Sequence, residues 1–222
     1  MLDLKKVLLA EGVGTMFLLI GVVGSGIMAQ RLSEGHDGLI LLQNAAATTA
    51  VLIAIISIFN KISADFNPAV TLCGWVLGHR TSKEVLPIFL SQITGAILGT
   101  VLANLMFDLS AVDWSNTNRS GSHLWLGEVI ATLGLLLVVF SLIYTSRTSK
   151  IPYVVGAYIG GAYYFTSSTS FANPAVTIAR SFSDTFTGIS PVHIPMFILM
   201  QLIGTAIAIT LIRFLFSSNA KS

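Results

Sequence analysis

The sequence predicts an all-α integral membrane protein with six transmembrane helices, two re-entrant half-helices and an inverted repeat. Three observations lead to this fold class: the composition, the lengths of the apolar stretches and a set of internal sequence echoes. Of the 222 residues, 54% are hydrophobic and only 10% are charged, whereas a typical soluble domain is about 25% charged. The apolar stretches are continuous rather than alternating, which favours helices over an outer-membrane barrel.

The composition also excludes several classes of protein. A chain this apolar is not disordered, is not a coiled coil and does not bind nucleic acid. Its net charge of +2 is too small to indicate an acidic partner. The single cysteine, Cys73, excludes a disulfide framework and a multi-cysteine metal site within one chain. No cofactor or resident metal is expected, and the lipid bilayer is the expected surrounding.

Six stretches are long and apolar enough to be transmembrane spans, since a helix needs about 20 such residues to cross about 30 Å of hydrocarbon. The first is interpreted as a span rather than as a signal peptide, because it is long and carries Glu11 in its middle. The predicted spans are 7–28, 39–59, 84–107, 123–145, 152–168 and 192–216.

The basic residues predict the orientation in the membrane. If the N-terminus lies in the cytoplasm, nine of the twelve lysines and arginines, Lys221 included, fall in cytoplasmic segments. Only Arg31, Arg119 and Arg180 then fall outside. The positive-inside rule therefore predicts a multi-pass protein of the inner (plasma) membrane with both termini in the cytoplasm.

Two further segments start polar and stay apolar for only about ten residues, a length that suits a re-entrant half-helix rather than a span. They contain Asn67-Pro68-Ala69 and Asn173-Pro174-Ala175. Asparagine is a good N-cap and proline suits the first helical turn, so each box predicts the start of a helix.

The two boxes belong to a longer internal repeat. Glu11 and Thr15 in the first span are echoed by Glu128 and Thr132 in the fourth, and the stretch that begins at Gln92 is echoed at Gln201. Each half holds three spans, an odd number, so the second half must enter the membrane from the opposite side. The chain is therefore predicted to be one transmembrane domain, 1–222, with inverted repeats at about 1–110 and 120–222.

An inverted repeat brings the N-termini of both half-helices together near the bilayer midplane. Non-helical backbone is tolerated at that depth only inside protein or around a water-filled cavity. Each helix N-terminus carries about half a positive charge. Such a site repels cations and accepts neutral solutes that hydrogen-bond, with the Asn67 and Asn173 amides as candidate donors.

Two Asn-Pro-Ala boxes, six spans and a glutamate in spans one and four resemble the aquaporin (major intrinsic protein) family over nearly the whole chain. The resemblance implies a passive channel rather than an enzyme, and a homotetramer. It also implies that Glu11 and Glu128 anchor the loops before the half-helices by accepting backbone hydrogen bonds. A different class, an ion-coupled secondary transporter, would use the same two carboxylates to bind its coupling ion.

The selectivity filter is where the sequence departs from the family pattern, because Val176 stands where most members have arginine. Family spacing places the other filter residues at Thr48 (or Ala47), at Gly161 and at Ser170 (or Phe171). None of Thr48, Gly161, Ser170 and Val176 is large, so we expect a wide filter that passes water, glycerol and urea. A second box followed by valine is similar to a bacterial subgroup associated with arsenic resistance, which adds arsenous acid as a candidate. The alternative is a strictly water-selective channel.

Two charged residues near the boxes have competing interpretations. Arg180 lies four residues after Val176, on nearly the same helical face and one turn further out. It is interpreted as an interfacial arginine paired with Asp184, with a side chain that reaches the outer pore as the alternative. Asp65 is expected to pair with Lys61 or to cap the local backbone, or else to line the cytoplasmic vestibule.

Overall fold

The computed structural model describes residues 3–216, which contain eight α-helices. Short 3₁₀ turns lie at 148–150, 180–182 and 191–193. Lys221, which contributes to the predicted orientation, lies outside the described residues. In chain order the helices are α1 (Leu4–Leu32), α2 (Asp37–Phe59), α3 (Pro68–Val76), α4 (Ser82–Met106), α5 (Ser122–Tyr144), α6 (Ile151–Phe165), α7 (Pro174–Ala179) and α8 (Ile194–Phe216).

Five of these helices, α1, α2, α4, α5 and α8, are long and apolar enough to cross a membrane. The remaining predicted span, the fifth in chain order at 152–168, is the short helix α6, whose 15 residues extend about 22 Å at 1.5 Å per residue. It ends at Phe165 rather than at the predicted residue 168, because the backbone becomes extended at Thr166. The protein is therefore a multi-pass membrane protein in which one span is shorter than the others.

The two half-helices begin at the predicted boxes. The Asn67 side-chain oxygen accepts a hydrogen bond from the Ala69 N–H at 2.8 Å, and Asn173 accepts one from Ala175 at 2.9 Å. A proline follows each asparagine at the first helical position. Helix α3 has nine residues, whereas α7 has six and continues as the 3₁₀ turn at 180–182.

The same pair of helix contacts recurs in both halves of the chain. Helix α1 packs against α4, and α5 packs against α8. At the first contact a Cβ on Gly95 would overlap the carbonyl oxygen of Gly12, and at the second a Cβ on Gly204 would lie 2.6 Å from the carbonyl oxygen of Val129. Glycine at these two positions lets the backbones approach closely. Contacts between α2 and α6 join the two halves.

The helix order gives the bundle two sides. The side where α1 begins, here called the N-terminal side, carries the connections 60–66, 77–81 and 145–150. The opposite side, here called the distal side, carries the connections 33–36, 107–121 and 183–193. Helix α3 returns to the N-terminal side and α7 to the distal side, which is the arrangement that an inverted repeat requires.

Candidate functional site

The two boxes hold each other through their asparagine side chains. The Asn67 Nδ2 donates to the carbonyl oxygen of Ala172 at 2.7 Å, and the Asn173 Nδ2 donates to the carbonyl oxygen of Phe66 at 2.8 Å. Both asparagines are buried, and both line the cavity described below. Each amide has two N–H groups, and each Nδ2 donates one hydrogen bond within residues 3–216.

The residue immediately before each asparagine has a left-handed backbone. Phe66 has φ of 49° and Ala172 has φ of 47°, values that are uncommon for residues other than glycine. Such conformations cost of order 1–3 kcal/mol and persist only where the surroundings impose them. Here the Phe66 N–H donates to Glu11 Oε2 at 2.7 Å and the Ala172 N–H donates to Glu128 Oε2 at 2.9 Å. The two buried carboxylates thus hold the carbonyls that the opposite asparagines bind.

A glutamine completes each carboxylate site. Gln92 Nε2 donates to Glu11 at 2.8 Å and to the Thr71 hydroxyl at 3.0 Å. In the second half, Gln201 Nε2 donates to Glu128 at 2.6 Å and to the Thr177 hydroxyl at 2.8 Å. Sequence reasoning did not assign a role to these glutamines and threonines, although the repeat in the sequence already contains all four.

A cavity of about 540 Å³ extends from the N-terminal side past both asparagines to the residues near α7. Four helices line it with residues spaced by four, so each contributes one face. Most of this wall is apolar, while the asparagines and the residues at the two ends are polar. The four stripes are Leu18 and Val22; Thr48, Leu52 and Ile56; Leu135, Val139 and Ile143; and Ile151, Val155, Ile159 and Tyr163.

The predicted filter residues divide into those that line the cavity and one that does not. Thr48, Ser170 and Val176 line it, and so does Phe171, the alternative to Ser170. The Ser170 hydroxyl has no hydrogen-bond partner within residues 3–216. Ala47, the alternative to Thr48, is not among the lining residues.

Gly161 is the predicted filter residue that the structure places elsewhere, on an exposed face of α6 and outside the cavity lining. Tyr163 occupies the lining position instead, and its hydroxyl lies 3.2 Å from the Thr48 hydroxyl. Gly161 and Tyr163 are two positions apart, which corresponds to about 200° around a helix. The family spacing that placed the filter residue at Gly161 therefore points to a face of α6 that does not line the cavity. The four-residue spacing of the lining residues in α6, which ends at Tyr163, is the sequence signal for the face of α6 that lines the cavity.

Arg180 lies in the cavity lining and is only 2% exposed. The carbon of its guanidinium lies 3.5 Å from the centre of the Phe171 ring, and its Nε donates to the carbonyl oxygen of Thr187. The predicted ion pair with Asp184 is wrong. The Asp184 carboxylate instead accepts hydrogen bonds from the Asn116 backbone N–H at 2.9 Å and from the Asn116 side chain at 3.0 Å.

Charged residues also line the opposite end of the cavity. Arg80 forms an ion pair with Asp65 at 2.9 Å and donates to the Ser63 hydroxyl at 2.7 Å. Its guanidinium lies 3.9 Å from Glu11. Asp65 therefore pairs with Arg80 rather than with Lys61, and it lines the vestibule on the N-terminal side.

Comparisons with known proteins agree with this architecture. Residues 1–167 match the major intrinsic protein family. The chain is 44% identical over 214 residues to the aquaglyceroporin AqpS of Rhizobium meliloti (strain 1021), which covers 96% of this chain and 91% of that protein. It is 25% identical over 241 residues to the probable aquaporin AqpM of Archaeoglobus fulgidus, covering 96% and 98% of the two chains. The X-ray structure of the aquaglyceroporin from Plasmodium falciparum shares the fold, with a TM-score of 0.68 at 19% identity over 94% of this chain and 95% of that one.

The fold, the paired boxes and these matches define a multi-pass membrane channel with the aquaporin fold. The chain belongs to the major intrinsic protein family. It is a channel for water and small neutral solutes, not an enzyme.

Proposed function

We propose that this channel conducts glycerol and urea together with water, and that arsenous acid follows the same route. The observation that carries the proposal is the composition of the cavity wall. Apolar stripes from four helices face a short polar track formed by Asn67, Asn173 and the hydroxyls near α7. A small polyol has the same two faces, since its C–H groups suit the apolar wall and its hydroxyls suit the donors.

The proposed constriction combines the residues that line the cavity beyond the two asparagines. Thr48, Tyr163 and Ser170 contribute hydroxyls, Val176 contributes a small apolar surface and Arg180 contributes a cation. Of the Arg180 nitrogens, only Nε donates a hydrogen bond within residues 3–216. Its terminal N–H groups are therefore free to bind a solute oxygen, which gives the filter a cationic donor one turn beyond the family's usual position.

The carboxylates argue for diffusion rather than for ion-coupled transport. Glu11 and Glu128 are both fully buried, and neither lines the cavity. Each accepts hydrogen bonds from two backbone N–H groups and a glutamine. A coupling ion would have to displace these donors, so we assign the two glutamates to the loops before the boxes.

The orientation and the assembly complete the proposal. Both termini face the cytoplasm of a bacterial cell, by the asymmetry of the basic residues, which makes the N-terminal side cytoplasmic. The assembly that the family resemblance implies is a homotetramer. Cysteine labelling from each side tests the orientation, and light scattering after size exclusion tests the assembly.

Stopped-flow light scattering on proteoliposomes tests the solute range, with water, glycerol, urea and arsenous acid compared. We expect all four to pass faster than through protein-free vesicles. Val176→Trp should block all four because it fills the constriction. The matched control, Val192→Trp, changes a valine that is 76% exposed and should leave the fluxes unchanged. Fast water flux with glycerol and urea excluded would instead establish a strictly water-selective channel.

A further inference from the structure

Arg119, in the distal connection between α4 and α5, links three separate segments around the second box. Its guanidinium donates to the carbonyl oxygen of Gly188 at 2.7 Å, to that of Phe186 at 3.4 Å and to that of Ser168 at 3.5 Å. Ser168 precedes the second box, whereas Phe186 and Gly188 follow α7. One side chain thus joins the distal loop to both segments that frame the constriction.

The same guanidinium also contacts a ring of the constriction. Its central carbon lies 4.9 Å from the centre of the Phe171 ring, and the Arg180 guanidinium lies 3.5 Å from that centre. Phe197 packs edge-on against the ring at 5.2 Å. Phe171 lines the cavity, but Arg119 does not. Arg119 therefore acts on the pore from behind its wall.

Electrostatic repulsion opposes this arrangement, because two cations share one aromatic ring. Neither arginine forms a salt bridge within residues 3–216. Burial lowers the pKa of the Arg119 guanidinium to about 10, so it still carries its charge at neutral pH. The three carbonyl contacts must then hold Arg119 in place. The Arg119 guanidinium donates from three different nitrogens, whereas the three donors of a lysine ammonium all leave one nitrogen and do not reproduce this planar fork.

We propose that Arg119 is a positioning residue of the selectivity filter: it holds the Phe171 ring, and through that ring Arg180, at the wall of the constriction. This inference rests on the proposed channel function. It assigns the fine selectivity of the pore partly to a residue outside the pore, in a loop that carries neither box. Loss of Arg119 lets the ring and the second guanidinium move, and the opening widens.

The test compares Arg119→Leu and Arg119→Lys with Arg31→Leu in proteoliposomes. Arg31 is a matched control because it is also a distal-side arginine over a phenylalanine ring, at 5.3 Å from the Phe107 centre, and it does not line the cavity. The readout is the ratio of erythritol to water permeability per folded channel, which a merely structural role does not change. We expect Arg119→Leu to raise this ratio about fivefold, the change that a coupling of about 1 kcal/mol produces. Arg119→Lys should also raise the ratio of erythritol to water permeability, and Arg31→Leu should leave this ratio unchanged.

A double-mutant cycle then tests whether Arg119 acts through the ring. Phe171→Leu alone should raise the ratio, and adding Arg119→Leu to it should change the ratio little further. The inference would be overturned if the effects of Phe171→Leu and Arg119→Leu were fully additive. It would also be overturned if Arg119→Lys kept the wild-type ratio, or if Arg119→Leu and Arg31→Leu gave equal ratios. If Arg119→Leu does not fold, the lysine variant carries the comparison. If wild-type vesicles pass no glycerol, the proposed function and the inference are both contradicted. If the wild type conducts glycerol, the variants test the role of Arg119 alone.

Discussion

The loops that precede the two boxes, 60–66 and 166–172, share one mechanism for holding an asparagine in place. In each, a buried glutamate accepts two backbone N–H groups, and a glutamine joins that glutamate to a threonine of the half-helix. In each, the residue before the asparagine has a left-handed backbone. These shared contacts give both loops the same conformation. They therefore explain why Asn67 and Asn173 each bind the carbonyl oxygen that precedes the opposite asparagine.

The two loops differ in the charges around that shared structure. On the N-terminal side, the two carboxylates Glu11 and Asp65 lie 3.9 Å and 2.9 Å from the Arg80 guanidinium. On the distal side, the single carboxylate Glu128 lies behind Phe171, whose ring contacts the two cations Arg119 and Arg180. The comparison teaches that the repeated residues give both loops the same backbone, whereas the unrepeated residues give the two ends of the cavity different charges.

The largest expected effect comes from breaking the shared structure. Glu11→Ala and Glu128→Ala each leave buried donors without an acceptor, at about 1–3 kcal/mol for each donor. Glu11→Ala should be the more damaging, because Arg80 and the Ser63 hydroxyl also lose a partner. Thermal unfolding of the detergent-solubilised protein measures both. Glu34→Ala, which removes an exposed glutamate, is the control. A Glu128 variant less stable than the Glu11 variant would show that the ion pair on the N-terminal side adds nothing.

A smaller effect is expected from adding charge and bulk to the distal end. Val176→Arg places a second arginine one helical turn from Arg180, on the same face. We expect glycerol flux to fall about tenfold relative to water flux, a change that corresponds to about 1.4 kcal/mol. Stopped-flow scattering measures the ratio, with Val192→Arg on the exposed distal surface as the control. Unchanged glycerol flux would mean that Val176 does not lie at the constriction.

The smallest effect is expected from Asp184→Asn, which tests the anchoring interpretation of Arg180. The Asn116 backbone N–H holds the pKa of Asp184 below its usual range. This contact therefore stabilises the fold at every pH above the ordinary pKa of an aspartate. The stabilisation disappears only as the pH falls through the lowered pKa of Asp184. At pH 7 we expect a slight loss of thermal stability and no change in the ratio of glycerol to water permeability. A raised ratio would indicate that Asp184 orients Arg180 after all.

Much of the fold follows from sequence because its signals are local or repeated. Span length, the Asn-Pro helix starts and the echo of Glu11 at Glu128 need no three-dimensional information. The left-handed conformations at Phe66 and Ala172 could not be predicted, since neither residue type favours them. They are imposed by carboxylates that lie far away along the chain.

The filter was harder to predict because it depends on which helical face a residue occupies. Gly161 and Tyr163 differ by two positions, and a shift of this size in a loop exchanges an exposed residue for a lining one. Arg180 was expected to bind Asp184 on spacing alone, yet the distal loop supplies Asn116 as a competing partner for that carboxylate. Contacts between loops that are distant in sequence therefore decide the geometry at the distal end of the cavity.

The most direct test of the central claim, that Arg180 replaces the missing filter arginine, compares Arg180→Leu with Arg213→Leu. Arg213 contacts the end of the other half-helix through the Val76 carbonyl oxygen at 2.9 Å, is exposed and does not line the cavity. The measurement is the ratio of erythritol to water permeability per folded channel in proteoliposomes. We predict that Arg180→Leu raises the ratio about fivefold, the change that about 1 kcal/mol produces, while Arg213→Leu matches the wild type. Equal ratios in the two variants would contradict the account.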